Sequence, residues 1–251
     1  MKPGRILIIA GSDSGGGAGI QADLKTVTLL GGFAMTAITA ITAQNTLGVQ
    51  GVHPIPTDMV LAQMESCISD IGVDAVKIGM IGSAQTATAV AERLGRLDGV
   101  PIVFDPVMVA TSGSLLADAD TIAAFHKLMS IATLVTPNIP ELAALGGEAI
   151  AAQFGTHVLA KGGHGEGAML TDRLIAPDGV AETWSDARID TPHTHGTGCT
   201  MASAIATGLG QGMALPDAIP RARDYVRAAL RLAPGFGGGH GPMGAPFTFH
   251  A

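Results

Sequence analysis

A chain of 251 residues with 47% hydrophobic but only 4% aromatic side chains predicts an aliphatic core, large enough for one α/β domain or two small ones. Its 14 basic and 21 acidic residues leave a net charge of −7 with no Lys/Arg run, which speaks against nucleic acid and acidic membrane surfaces as main partners. Two cysteines make no disulfide framework and suit a reducing, cytoplasmic setting, and the first apolar run is too short for a signal peptide or membrane span.

Residues 5–10 are short, apolar and β-branched, as a buried strand requires. A glycine-rich loop, Gly11 to Gly19, follows, and then a helix over 20–30 with Ile20, Leu24, Val27 and Leu30 on one side. Neither G-x-G-x-x-G nor G-x-x-x-x-G-K-[ST] can be laid on this loop, so it belongs to neither common nucleotide fingerprint. It can still bring backbone close to a small ligand, with Asp23 reaching in from the helix. Residues 33–43 alternate apolar residues with threonine and predict a strand ending at Gln44-Asn45-Thr46. In parallel α/β sheets ligands gather at the carboxyl ends of strands, which makes Gln44 a candidate for reading a heterocycle by paired donor and acceptor; the plainer role is a loop-capping amide.

Thr57 is expected to cap a helix carrying Val60, Met64, Cys67, Ile68 and Ile71 inward, so Cys67 reads as core. A strand over 75–80 brings Met80 to its end. Ser83 caps a helix reaching about residue 97. Another strand, 100–105, delivers Asp105 to a sharp turn, Asp105-Pro106-Val107-Met108. After a helix over 121–129 and a strand over 132–136 comes Thr136-Pro137-Asn138-Ile139-Pro140-Glu141. Asn138 and Glu141 fit a capping box loosely; alternatively they face outward and hold Mg²⁺ through water. A strand over 157–160 ends in Lys161, placed to neutralise nucleotide phosphates, with Gly162, Gly163, Gly165 and Gly167 as a mobile flap. Short antiparallel strands are expected near 168–171, 174–175 and 183–184.

His195-Gly196-Thr197-Gly198-Cys199-Thr200 then opens a helix of small and apolar residues. Glycines uncover amide N–H groups where a helix start already carries partial positive charge, which suits a transferring phosphoryl group. The same field favours a thiolate at Cys199. The bland alternative is a tight loop packing a helix on a sheet. A last helix spans about 216–232, and a Gly/Pro-rich tail begins near residue 234. Strand–helix alternation without a break in composition predicts one domain over residues 1–251. Its sheet is expected to be mainly parallel, with helices on both faces and a small antiparallel edge near the late strands.

Taken together, Ala10 to Thr26, Thr42-Ala43-Gln44-Asn45-Thr46, Asp105-Pro106-Val107-Met108-Val109, the segment 136–141, Lys161-Gly162-Gly163-His164 and Thr194 to Thr200 resemble, in order, the motifs of hydroxymethylpyrimidine and phosphomethylpyrimidine kinases. The resemblance implies a ribokinase-like fold, ATP and Mg²⁺, a homodimer, and phosphorylation of 4-amino-5-hydroxymethyl-2-methylpyrimidine and its monophosphate in thiamine biosynthesis. It implies that Gln44 bonds the aminopyrimidine with Asp23 close by, and that Gly11, Met80 and Val107 line the pocket. Asn138, Lys161, Gly163 and Thr197 would serve the nucleotide, and Asp105, Asn138 and Glu141 the metal. Gly196, Gly198, Cys199 and Lys161 would act on the transferring group, with Cys199 as the candidate base. Two other readings stay open: a pyridoxal or pyridoxine kinase, and a non-catalytic pyrimidine-binding regulatory protein on the same scaffold.

Overall fold

The computed structural model describes residues 3–110, 113, 116–164 and 167–246. Residues 165 and 166 of the expected flap and 247–251 of the expected tail lie outside them. The chain runs β1 (Arg5–Asp13), α1 (Gly19–Leu29), β2 (Phe33–Asn45), β3 (Gly48–Pro54), α2 (Thr57–Asp70), β4 (Ala75–Ile78), α3 (Ala84–Leu94), β5 (Ile102–Phe104), α4 (Ala119–Met129), β6 (Leu134–Val135), α5 (Ile139–Ala144), α6 (Ile150–Phe154), β7 (His157–Ala160), β8 (Met169–Ala176), β9 (Gly179–Ala187), α7 (Thr197–Gly210) and α8 (Leu215–Arg231). Among the described residues the strands form one sheet in the order β3-β2-β1-β4-β5-β6-β7-β8-β9. The six strands β2, β1, β4, β5, β6 and β7 are mutually parallel, β3 pairs antiparallel with β2 at one edge, and at the other β8 pairs antiparallel with both β7 and β9.

The period-two geometry of a strand sorts its side chains into two cores. Ile6, Ile8 and Ala10 of β1 join Val103, Leu134 and Leu159 against α1, α7 and α8. Leu7 and Ile9 join Val76, Ile78, Phe104, Val135 and Val158 against α2 to α6. The result is three layers with helices on both faces of the sheet, as expected. Helix α7 lies against the middle of the sheet and is buried over most of its length. Its small residues permit that: a Cβ at Gly208 would stand 3.0 Å from Ala218 Cβ.

Several local expectations are corrected. Antiparallel pairing occurs at both edges, not only the late one. β3 carries no inward apolar alternation, and most of it is exposed at the sheet edge, so its sequence gave no period to read. The late short strands are one long hairpin, β8 and β9. Thr57 is not a cap: Pro56 occupies that position, and Thr57 Oγ1 stands 2.9 Å from Thr86 Oγ1. β1 continues past Ala10 through a bulge to Asp13, which pairs with Thr42. That continuation carries Asp13 to the level of the site.

Candidate active site

The carboxyl ends of the parallel strands and the start of α7 open on one cavity of about 870 Å³. Gly11, Gln44, Met80, Asp105, Val107, Asn138, Glu141, Lys161, Gly163, Gly196, Thr197, Gly198 and Cys199 all line it. These residues span the chain, and the parallel topology brings them together, because each lies at or beyond the carboxyl end of a strand or opens α7.

Asp23 is the exception. It is fully buried and is not among the cavity-lining residues. Its Oδ2 accepts from Lys77 Nζ at 2.8 Å and its Oδ1 from Ser203 Oγ at 2.7 Å. Position 23 faces the sheet with Ile20 and Val27, so its carboxylate is directed into the protein and not toward a ligand. Burial acts to raise the Asp23 pKa and wins over the opposing pull of Lys77 and Ser203.

Gly196 is the N-cap of α7 with φ +87°, a backbone state that disfavours side chains. A Cβ there would also overlap the carbonyl oxygen of Gly17, so the glycine-rich loop and the helix start interlock. Thr200 N–H donates to Gly196 O at 2.9 Å. The helix start leaves the N–H groups of Gly198 and Cys199, two residues that line the cavity, without intrahelical acceptors. A Cβ on Gly198 would stand 3.3 Å from Lys161 Nζ and 3.5 Å from Asp105 Oδ2, so both charged groups border the cradle. Lys161 Nζ donates to Asp105 Oδ1 at 2.8 Å, and Thr136 Oγ1 donates to the same oxygen at 3.0 Å. Burial would lower the Lys161 pKa, but Asp105 and Glu141 outweigh it and hold the ammonium above its ordinary value.

Cys199 does not become the thiolate expected at a helix start. Burial pushes its thiol up to about 11, against the pull of Lys77 and of the Gly19 N–H that donates to its sulfur. Desolvation outweighs the helix-terminal field here.

Asn138 and Glu141 close a full capping box on α5: Glu141 N–H donates to Asn138 Oδ1 and Asn138 N–H to Glu141 Oε2, both at 2.8 Å. The three expected metal ligands are therefore not a free set. Asn138 Oδ1 and one Glu141 oxygen serve the helix, Asp105 Oδ1 serves Lys161 and Thr136, and no group of three or more His, Cys, Asp or Glu side chains converges as a metal cage among the described residues.

Burial also raises the Glu141 carboxyl to about 7, helped by Asp105 and opposed by Lys161. In metal-free protein this carboxyl contributes stability fully below its unfolded value of 4.5, and the contribution is lost as pH rises through about 7. Glu141→Gln keeps a capping-box acceptor and is expected to flatten that decline by up to about 3 kcal/mol. Thermal melts from pH 5 to 8 read it; parallel curves for the two proteins would contradict it.

Two further cavity residues carried no role in the sequence. His195 Nε2 lies 2.9 Å from Asp13 Oδ2 and 3.3 Å from Gln44 Nε2. Asp13 also accepts from the N–H groups of Gly15, Gly17 and Ala18 at 2.8–3.0 Å. Burial works to raise the Asp13 pKa, but the His195 and backbone donors keep it below the ordinary carboxylate value. Asp13 and His195 are 182 residues apart, so only the Asp and His types at two motif ends hinted at them.

A family model described as phosphomethylpyrimidine kinase matches residues 13–244. The hydroxymethylpyrimidine/phosphomethylpyrimidine kinase of Haemophilus influenzae is 42% identical, with 95% of each chain covered. A thiamine biosynthesis bifunctional protein of Geobacter sulfurreducens is 48% identical over 96% of this chain. The chain spans 52% of that bifunctional relative and 34% of a multifunctional one from Corynebacterium efficiens. Among solved structures, the Staphylococcus aureus pyridoxal kinase in complex with AMP-PCP and pyridoxal superposes with a TM-score of 0.88 at 30% identity, covering 97% of this chain and 94% of that one. A phosphomethylpyrimidine kinase from Clostridium difficile gives 0.77 at 36% identity, covering 90% and 98%.

Proposed function

The chain belongs to the phosphomethylpyrimidine kinase family, and on that premise we propose that it transfers the γ-phosphoryl group of ATP to 4-amino-5-hydroxymethyl-2-methylpyrimidine and then to the monophosphate, giving the diphosphate in thiamine biosynthesis. The observation that carries this reading is the start of α7. Its bare Gly198 and Cys199 N–H groups, with Lys161 beside them, share one cavity with an amide, Gln44, suited to an aminopyrimidine edge. Phosphoryl transfer asks a protein mainly for position and charge stabilisation, and this arrangement offers both.

In this reading Gln44 pairs with the amino group and ring nitrogen, and Gly11, Met80 and Val107 form the walls around the ring. Asn138, Gly163 and Thr197 lie on the nucleotide side. Lys161 and the N–H groups of the helix start meet the charge that develops on the transferring group. Asp105 and Glu141 would hold Mg²⁺, the second mainly through water. Their hard carboxylate oxygens fit that ion, which usually takes one or two carboxylates together with phosphates and water. When bound, Mg²⁺ neutralises phosphate charge.

Cys199 is proposed as the acceptor of the hydroxymethyl proton. With its thiol at about 11, roughly one molecule in 10⁴ carries the thiolate at pH 7. The expected result is kcat/KM rising about tenfold per pH unit through the alkaline range. Cys199→Ala should abolish that slope; a slope that persists in the variant would assign the proton to another group.

A homodimer and a cytoplasmic location are proposed on the family likeness, and sedimentation of the purified chain tests the first. No helix among the described residues is long and apolar enough to cross a membrane. The likeness to pyridoxal kinases supports a second reading, in which pyridoxal is also phosphorylated. The deciding measurement is ADP release with Mg-ATP against both pyrimidines, pyridoxal, pyridoxine and ribose. Turnover of the two pyrimidines well above pyridoxal is expected. Pyridoxal as the preferred substrate would overturn the main reading, and pyrimidine binding without turnover would leave a binding protein.

A further inference from the structure

The side-chain amide of Gln44 stands between two fixed groups. Its Nε2 end is placed 3.3 Å from His195 Nε2 and its Oε1 end 3.2 Å from Thr42 Oγ1. The oxygen and nitrogen of an amide have the same shape, so donor counting decides which end is which. On the first side, Asp13 Oδ2 is 2.9 Å from His195 Nε2 and already accepts from Gly17 and Ala18. A carboxylate holding those bonds only accepts, so the ring nitrogen facing it carries a proton. With its proton directed to Asp13, Nε2 has no lone pair left for a Gln44 N–H, so the amide nitrogen cannot bond there and the amide oxygen is the end that suits this partly positive edge of the ring. On the second side, the one hydroxyl proton of Thr42 has two acceptors in reach, Ser12 O at 2.9 Å and the Gln44 amide at 3.2 Å, and goes to the nearer. Toward Gln44 the Thr42 oxygen thus offers lone pairs, and only the amide nitrogen can use them. Both neighbours require the amide turned over by 180°, with oxygen toward His195 and nitrogen toward Thr42.

We infer that the Asp13–His195 pair is a positioning unit that fixes the amide of Gln44 in this orientation and thereby sets which pyrimidine edge the site accepts. The inference rests on the proposed function and deepens it. A locked Gln44 presents an acceptor on the His195 side and a donor on the Thr42 side. A 4-aminopyrimidine edge, with its amino N–H and bare ring N3, complements that order. The 4-oxo counterpart offers the reverse, a carbonyl oxygen and a ring N–H, and meets acceptor with acceptor and donor with donor. The amino group falls on the His195 side. The 5-hydroxymethyl group is its ring neighbour, so it falls on the side where the chain continues into Gly196 and the cradle at Gly198 and Cys199. One orientation of one amide thus selects the ring edge and aims the reacting oxygen.

The test compares the full chain with His195→Leu and His195→Gln, using 4-amino-5-hydroxymethyl-2-methylpyrimidine and its 4-oxo counterpart as probes. The wild type is expected to prefer the amino compound by at least about 100-fold in kcat/KM. His195→Leu frees the amide to turn and should cut that ratio at least about tenfold, chiefly through KM, while the KM for ATP stays put. His195→Gln keeps an N–H toward Asp13 and should retain the ratio. A merely structural role for His195 would lower both substrates together; an unchanged ratio in His195→Leu overturns the inference. ¹⁵N spectra of the wild-type histidines give a second reading that needs no variant and no turnover. Nε2 of His195 is expected to be protonated, and a bare Nε2 overturns the positioning unit whatever the substrate proves to be. Wild type that turns over neither pyrimidine would count against the proposed function instead, and the ring-nitrogen result keeps the two failures apart.

Discussion

Lys161→Met is expected to lower kcat/KM by roughly 10²–10³-fold, the usual effect of removing one preorganised donor from a site of developing charge. Methionine keeps the length of the side chain without its ammonium. In the protein that ammonium lies 2.8 Å from Asp105 Oδ1 and borders the N–H groups that open α7. The loss should fall mainly on kcat, because charge accumulates on the transferring group during reaction more than in the bound state. The KM for ATP is expected to rise only a few-fold, and the pyrimidine, held at Gln44, should bind nearly as before. Steady-state kinetics with calorimetric titration of the pyrimidine separates these quantities. A variant within about threefold of the wild type would take Lys161 out of the proposed machinery. One side effect has a definite sign. Without Lys161 only the backbone N–H donors oppose burial and the repulsion of Asp105, so the Glu141 carboxyl, already raised to about 7, should rise further.

Much of the site was legible because parallel α/β topology converts sequence position into spatial position. A residue just past an apolar strand lies on one rim of the sheet, and Gln44, Met80, Asp105, Asn138 and Lys161 were all found that way. Caps were legible where side-chain chemistry is local: Ser83 accepts from Thr86 N–H at 3.1 Å, as its place before an alanine-rich helix implies. What failed depended on burial and on distant partners. Its place after the glycine loop points Asp23 at a ligand, and the fold turns it inward instead. Its spacing carried the contrary message: three residues after Ile20 and four before Val27, it sits within the inward stripe of α1. Lys77 lies inside the buried strand β4, between Val76 and Ile78. Two opposite charges, one on the apolar stripe of a helix and the other inside an apolar strand, point to a buried ion pair. For Cys199 the helix-start argument was locally sound, but the degree of desolvation is a property of the whole fold and outweighed it.

The Asp23–Lys77 pair also carries the largest expected effect on stability. Lys77→Met should destabilise the protein by about 3–5 kcal/mol, because it leaves a carboxylate with no exposure to water and no cation. For a chain of this size that is a fall in Tm of roughly 6–20 °C. Asp23→Leu alone should cost a similar amount, since it strands the ammonium and removes the acceptor of the Ser203 hydroxyl. The double variant Lys77→Met/Asp23→Leu removes both charges, and most of the lost stability should return; strict additivity of the two single losses would contradict the coupling. Activity is expected to behave differently. Lys77 acts electrostatically on Cys199 and Asp105, both at the cradle. Removing it takes away positive potential under the helix start and sends the thiol still higher. A double variant that melts near the wild-type temperature but turns over more slowly would give the pair a part in the field of the site. Recovery of both properties would reduce it to an ion pair within the core.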